Sequence, residues 1–232
     1  IAGTNEGSGM IYNCKTEGFV EGDHYVGGIV GQNIGTISYC SNTTGVNINA
    51  SEAIGSAEDL DSLTLPTASD DEDDDAPKKA NTSTDVGGIC GFSSGVIIGC
   101  TNWGGVGFEH VGYNIGGIAG HMAAGYIENC RAYGLFLANP ESYDEGNLVN
   151  SSMLCQIGGI VGGMGASQEK DGCLVRYCEN HLQIDCYTFT YGNSSPCGYA
   201  IGGIVGGSGI GKVRECVNRA AVTGGYDVGG IV

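Results

Sequence analysis

Eleven cysteines have the widest chemical repertoire in this chain, because a thiolate can act as a nucleophile, a metal ligand or a disulfide partner. Six of them recur at one phase of a repeating pattern: Cys14, Cys40, Cys100, Cys130, Cys178 and Cys216. A cysteine that returns at the same phase is typical of a small apolar side chain stacked inside a protein. We therefore predict that these six form one inward structural column.

The other five cysteines divide into two groups. Cys90 replaces a Val or Ala of the repeat, so it is also predicted to pack internally. Four lie off the repeat phase: Cys155, Cys173, Cys186 and Cys197. A disulfide among these four is left open as an alternative. The sequence has no Cys-x-x-Cys pair, which argues against a zinc site.

Carboxylates are concentrated in residues 70–75, which read Asp-Asp-Glu-Asp-Asp-Asp. Hard oxygen ligands suit Ca²⁺, and the weak metal-ligand candidates are Asp70, Asp71, Asp73, Asp74 and Asp75. An EF-hand needs spaced ligands and a central glycine, and this run has neither. High charge and low hydrophobicity favour a solvated acidic loop, with cation binding as the alternative.

No set of residues predicts catalysis or a cofactor site. Glycoside hydrolysis needs two carboxyl groups held at a fixed separation, but the candidate acids lie in insertions without repeating geometry: Asp144, Glu145, Asp171 and Asp185. The four histidines are scattered, and none begins a His-Glu-x-x-His motif: His24, His110, His121 and His181. We therefore predict that the chain is not an enzyme and holds no cofactor.

The elements that position these residues follow from a repeated phrase. Residues 26–31 read Val-Gly-Gly-Ile-Val-Gly, and related copies occupy residues 86–91, 115–120, 157–162, 201–206 and, cut short, 228–232. The copies begin 60, 29, 42, 44 and 27 residues apart, which indicates a unit of 27–29 residues that carries insertions. Such periodicity is the sequence signature of a solenoid.

Each unit contains three short apolar segments bounded by Gly, Asn and Ser, which predicts three strands per coil and no helix. The predicted fold is an all-β, right-handed parallel β-helix (β-solenoid) of about six coils. An aliphatic residue precedes each phased cysteine by three positions and should form a second column: Ile11, Ile37, Ile97, Ile127, Val175 and Val213. An apolar residue six positions after each cysteine should form a third: Val20, Val46, Val106, Phe136, Ile184 and Val222. The Gly-Gly pairs are predicted to lie where Cβ atoms would clash.

We predict that residues 1–232 are a single solenoid segment of a longer protein. Residues 51–85 form an acidic loop insertion with eleven acids and two lysines, and residues 138–156 and 185–200 are further insertions rich in Tyr, Asn and Ser. The net charge of −17 argues against nucleic acid as a partner. The sequence contains no run of about 18 apolar residues, so no membrane span is predicted.

The motif in residues 26–42, a Val-Gly-Gly-Ile-Val-Gly phrase followed by Gly, an aliphatic residue and Cys-x-Asn, resembles the GLUG motif. The resemblance covers nearly all the chain outside the insertions, although Asn is missing after Cys14 and Cys130. GLUG repeats occur in secreted and surface-anchored bacterial proteins, including adhesin-like proteins and non-catalytic parts of IgA-specific metallopeptidases. The resemblance implies a location and an architecture, but it transfers no catalytic residue.

The function expected from these observations is that of an extracellular structural or adhesive segment of a bacterial surface protein, serving as spacer and display scaffold. Its expected partners are flanking repeats and a host or cell-surface glycan or protein. One alternative is a polysaccharide-binding or polysaccharide-degrading β-helix protein. A second is a Ca²⁺-dependent solenoid, although the nonapeptide typical of that class is missing.

Overall fold

The computed structural model describes residues 1–22, 24–43, 47–50, 85–108, 112–138, 154–165, 172–186, 190–191, 195–196 and 199–232. Throughout these residues the regular secondary structure is β-strand. All strand pairs are parallel except one short antiparallel pair, Thr190–Tyr191 with Ser195–Pro196. The predicted all-β, parallel β-helix class is confirmed, and its right-handed sense stays a prediction.

Four six-stranded parallel sheets run along the molecule, and a fifth wall consists of a four-stranded sheet followed by a two-stranded one. Sheet 1 contains Ala2–Asn5, Val30–Asn33, Cys90–Ser93, Ala119–Met122, Val161–Met164 and Val205–Ser208. Sheet 2 contains Met10–Tyr12, Thr36–Ser38, Val96–Ile98, Gly125–Glu128, Cys173–Arg176 and Gly211–Arg214. Sheet 3 contains Lys15–Thr16, Ser41–Asn42, Thr101–Asn102, Arg131–Ala132, Glu179–Asn180 and Val217–Asn218.

The last two sheets close each coil. Sheet 4 contains Val20–Gly22, Asn47–Ala50, Gly105–Phe108 and Phe136–Ala138, and the same path continues in the pair Ile184–Asp185 and Val222–Thr223. Sheet 5 contains Val26–Gly27, Val86–Gly87, Gly112–Gly116, Leu154–Gly158, Tyr199–Gly202 and Tyr226–Gly229. Five strands per coil, rather than three, arise because backbone groups pair with neighbouring coils even where the side chains are polar or absent.

The predicted aliphatic column is confirmed, since Ile11, Ile37, Ile97, Ile127, Val175 and Val213 are successive register partners in sheet 2. The third column differs at one place. Ile48, and not Val46, pairs with both Val20 and Val106, and Val46 lies outside the described residues. The spacing from the cysteine is therefore longer in this coil, where the acidic insertion begins.

The core is a stack of equivalent side chains. The isoleucine that follows each Gly-Gly pair is fully buried in five successive coils: Ile29, Ile89, Ile118, Ile160 and Ile204. The backbone N–H of each isoleucine donates to a carbonyl oxygen of the next coil, as Ile89 N does to Ile118 O at 3.0 Å. Burial of one such side chain stabilises a fold by about 1.5–3 kcal/mol, so core stability grows with each added coil.

Two corners of each coil have a residue in the left-handed region, with φ between 46° and 64°. One corner immediately precedes the phased cysteine: Asn13, Tyr39, Gly99, Asn129, Tyr177 and Glu215. The other immediately precedes the Gly-Gly phrase: Tyr25, Asp85, Asn114, Gln156, Ala200 and Asp227. Asn and Asp tolerate this conformation better than other residues with a Cβ, which explains their frequency at these corners.

The second glycine of each phrase packs against a buried asparagine column. Asn42 Nδ2 donates to Asn102 Oδ1 at 2.8 Å, and the column is interrupted in the next coil by Ala132. A Cβ on Gly88 would lie 2.3 Å from Cγ of Asn102 and 2.4 Å from the carbonyl oxygen of Gly117. The glycine is required here because two walls of the coil approach too closely for a side chain.

This packing predicts different outcomes for alanine at two equivalent motif positions. Gly88→Ala should lower the free energy of unfolding by about 2 kcal/mol or more, because the clash involves backbone that cannot move aside. Gly230→Ala should change it by less than about 0.5 kcal/mol, since no atom lies within 4 Å of the added Cβ. Urea denaturation measures both values, and equal losses would contradict the packing account.

Candidate functional site

The structure places the six phased cysteines in one column, each directly before a strand of sheet 3. Cys40, Cys100, Cys130 and Cys178 are buried, whereas Cys14 and Cys216 are partly exposed. Each thiol donates to the carbonyl oxygen two residues earlier in its own coil, as Cys130 Sγ does to Glu128 O at 3.3 Å. The thiols thus provide hydrogen bonds to carbonyl groups of a tight corner, and they face the interior.

Burial decides the chemistry of Cys90, Cys130 and Cys173, whereas hydrogen bonds from neighbouring thiols lower the pKa of Cys100 and Cys178. Burial raises the pKa of Cys130 and Cys90 well above the usual value, and it raises the pKa of Cys173 to about 11. Because the thiolate is the nucleophile and the metal ligand, thiols held neutral in this way act as packing groups. Two of the off-phase cysteines, Cys173 and Cys186, are likewise buried, and no disulfide joins them to each other.

Most other candidates fall outside the described residues. These are Asp70, Asp71, Asp73, Asp74 and Asp75 of the acidic run, together with Asp144, Glu145, Asp171, His110 and Cys197. Asp185 is described, and its carboxylate accepts a hydrogen bond from Thr223 Oγ1 at 2.8 Å. Among the described residues, no group of three or more His, Cys, Asp or Glu side chains is arranged to hold a metal ion.

A lateral polar cluster of Asp85, Asn114 and His121 is the main feature that sequence reasoning missed. Asp85, assigned from sequence to the acidic loop, is 1% exposed, and its carbonyl accepts from Val26 N at 3.1 Å within the wall of the coil. Its carboxylate Oδ1 accepts from Asn114 Nδ2 at 2.6 Å. Both residues occupy the left-handed corner before the Gly-Gly phrase, and that position was the signal that could have identified them.

His121 lies beside this buried carboxylate, with Nδ1 3.9 Å from Asp85 Oδ2. Burial lowers the pKa of His121, which favours the neutral imidazole at neutral pH. Its ring also packs edge-to-face on Phe92 at 5.4 Å between centroids, and Phe92 packs in the same way on Tyr25 at 5.5 Å. The imidazole is therefore held between an aromatic column and the buried carboxylate.

The amide oxygen of Asn114 in this cluster and that of Gln156 converge on one glycine. A Cβ on Gly163 would lie 2.3 Å from Asn114 Oδ1 and 2.4 Å from Gln156 Oε1. Asn114 Oδ1 is buried and has no hydrogen-bond partner among the described residues. The arrangement offers acceptor oxygens to a donor, so what it supports is a polar brace for the corner of the coil.

A ring column lies on the outer surface beside sheet 3 and consists of Trp103, Tyr133 and His181. Trp103 stacks on Tyr133 at 4.2 Å with an interplanar angle of 8°, and Tyr133 stacks on His181 at 4.4 Å with an angle of 20°. Each ring stacks face to face on its neighbour, and Trp103 at one end of the column is 46% exposed. Below them, Glu179 Oε2 lies 3.3 Å from His181 Nε2.

Comparison with known proteins adds one similar structure. No family model matches the chain, and no curated protein matches it, so the GLUG resemblance stays a prediction from the motif. Among solved structures, a "putative immunoglobulin A1 protease from Bacteroides ovatus" is 15% identical, with a TM-score of 0.39 over 97% of this chain and 67% of that one. No helix in the described residues is long and apolar enough to cross a membrane.

A second carboxylate introduced into the lateral polar cluster should destabilise the fold in a pH-dependent way. In Asn114→Asp, repulsion by Asp85 and burial would raise the pKa of one carboxyl above its unfolded value of about 3.9. The penalty should be small below about pH 4, where the protonated form is available in both states, and should grow as pH rises. We expect a loss of about 3 kcal/mol in unfolding free energy at pH 7.

The matched control is Asn13→Asp, which also has positive φ (53°) but is exposed to solvent. It should change the unfolding free energy by less than about 0.5 kcal/mol at either pH. Denaturant titrations at pH 4 and pH 7 measure both variants. A loss for Asn114→Asp that is the same at both pH values would show that the cluster does not hold a buried carboxylate.

Proposed function

We propose that this chain is an extracellular structural and adhesive repeat segment of a bacterial surface protein, serving as a spacer and display scaffold. The observation that carries the proposal is a difference in residue variation between the inward and outward faces of the strands. Inward positions are occupied by the same residue types in coil after coil, as at Ile89, Ile118 and Ile160. Outward positions in register with one another vary freely, as at Thr101, Arg131 and Glu179.

This difference supports a spacer because the fold lengthens by repetition. Each coil adds roughly 4.8 Å along the axis, and its core forms by contact with its neighbours alone. Backbone bonds then link the coils along the whole axis, as from Cys90 N to Ile118 O at 3.0 Å and Ala119 N to Ile160 O at 3.0 Å. A stack of this kind holds surface residues at fixed intervals along a rod.

The display role is supported by the exposed rings and charges on sheets 2 and 3. Trp103, Tyr39 and Tyr177 are 46%, 60% and 44% exposed on the outer surface. Large exposed aromatic side chains are enriched in binding surfaces, and here they stand on a rigid wall. The bacterial and extracellular part of the proposal rests on the GLUG resemblance of the repeat.

Antibody labelling of intact cells of the producing bacterium tests this function. Antibody raised against the recombinant chain should label intact cells, and brief treatment of those cells with protease should remove the label. A cytoplasmic protein of the same cells serves as the control and should be labelled only after lysis. Labelling of the chain that also required lysis would contradict the proposal. Release of reducing ends from a polysaccharide panel by the purified chain would instead favour an enzyme.

A further inference from the structure

The positive charges of this acidic protein are concentrated on one part of its surface. Five of the six Lys and Arg residues that the structure describes lie on or beside sheets 2 and 3 in the last three coils, and we call them the basic stripe: Arg131, Arg176, Lys212, Arg214 and Arg219. Three acids share these faces: Glu128, Glu179 and Glu215. The local balance of five positive and three negative charges contrasts with a net charge of −17 for the chain.

Within sheet 2, the stripe brings two like charges together. Arg176 and Arg214 are direct register partners on adjacent parallel strands. Glu128, one coil earlier, pairs with Arg176 at 2.8 Å between Oε2 and the guanidinium Nη2. Arg214 and Lys212 are exposed and form no ion pair with any described residue. Like charges directly opposite one another destabilise a sheet, so this arrangement costs stability in the absence of an anion.

Beside sheet 3, one carboxylate serves several cations. Glu179 Oε2 lies 4.0 Å from Arg131 Nε, 3.6 Å from Arg219 Nε and 3.3 Å from His181 Nε2. Both arginines are more than half exposed. A single carboxylate does not neutralise two guanidinium groups, so each keeps donors directed to solvent.

Aromatic rings accompany the charges. The Arg176 guanidinium carbon lies 6.0 Å from the ring centroid of Tyr126 and 5.8 Å from that of Tyr177. His181, the last ring of the Trp103–Tyr133–His181 ring column, lies 3.3 Å from Glu179 Oε2, and Arg131 Nε lies 4.0 Å from the same oxygen. Guanidinium groups that alternate with exposed rings present both ionic and apolar contacts along the axis.

We propose that the basic stripe binds a linear anionic polysaccharide, whose carboxylate or sulfate groups occupy the space between Arg176 and Arg214 and beside Arg219. This proposal deepens the adhesive role proposed above and rests on it. Arg176 and Arg214 lie one coil step of roughly 4.8 Å apart, which suits one charge per sugar better than duplex DNA, with one charge per about 1.7 Å.

Binding of the whole chain to immobilised polysaccharides tests the proposal. The probes are heparin for sulfate groups, alginate for carboxylates and dextran as the neutral reference. We expect binding to heparin, alginate or both, with none to dextran, and loss of affinity as salt is raised. The two anionic probes distinguish sulfate from carboxylate recognition. Binding to dextran as tight as to the anionic probes, or to neither anionic probe, would overturn the proposal.

A variant pair identifies the surface. Arg214→Gln combined with Arg219→Gln should weaken binding at least tenfold without lowering the melting temperature, because both side chains are exposed. Lys15→Gln is the matched control, since Lys15 occupies the same outward column as Arg131 three coils away and should leave affinity unchanged. Equal losses from both changes, or equally tight binding of a single-stranded polynucleotide, would show non-specific attraction and contradict the proposal.

The two proposals fail separately. If antibody labels the cell surface but the chain binds neither polyanion, the basic stripe is not a glycan site and the proposed surface location stands. If binding depends on Arg214 and Arg219 but antibody detects the chain only after lysis, the proposal that the basic stripe binds a polyanion stands and the proposed extracellular role is contradicted.

Discussion

The rest of this structure depends on each coil resting in register on the next at the spacing of paired strands, roughly 4.8 Å. Register brings equivalent residues into contact, so a side chain has to fit against its own counterpart above and below. The Gly-Gly pair meets this constraint where two walls converge, because the second glycine leaves room for an asparagine such as Asn102. The repeated phrase is thus a packing requirement imposed once per coil.

Several polar groups of the interior are satisfied along the same axis. Asn180 Nδ2 donates to Asn218 Oδ1 at 3.0 Å, and the backbone N–H of Leu182 donates to Asn180 Oδ1 at 2.8 Å. Interior positions are therefore committed to stacking, and variation is confined to the outer faces. On those faces register has the opposite effect, since it sets Arg214 against Arg176, while the one carboxylate in this column, Glu128, pairs with Arg176.

Sequence periodicity predicted the coils, the cysteine position and the aliphatic column, because each repeats the same side chain at the same phase. It did not predict five strands per coil, since polar pairs such as Ser41–Asn42 hydrogen-bond through backbone groups that hydropathy does not report. It also assigned Asp85 to the acidic loop, although the left-handed corner turns that carboxylate inward to Asn114. Charge composition showed an acidic chain and concealed the basic stripe, because register brings Arg131 and Arg176 beside the segment that contains Lys212, Arg214 and Arg219.

In-register stacking is tested most directly by distances along one outward column. Lys15, Glu179 and Val217 occupy the same position of sheet 3 in the first, fifth and sixth coils. Spin labels carried on unnatural side chains at these sites, which leave the native thiols untouched, allow pulsed dipolar spectroscopy of each pair. Four and five coil steps predict separations of about 19 Å for Lys15–Glu179 and about 24 Å for Lys15–Val217, apart from label length. Separations that do not increase by one coil step between these pairs would contradict the stacked architecture.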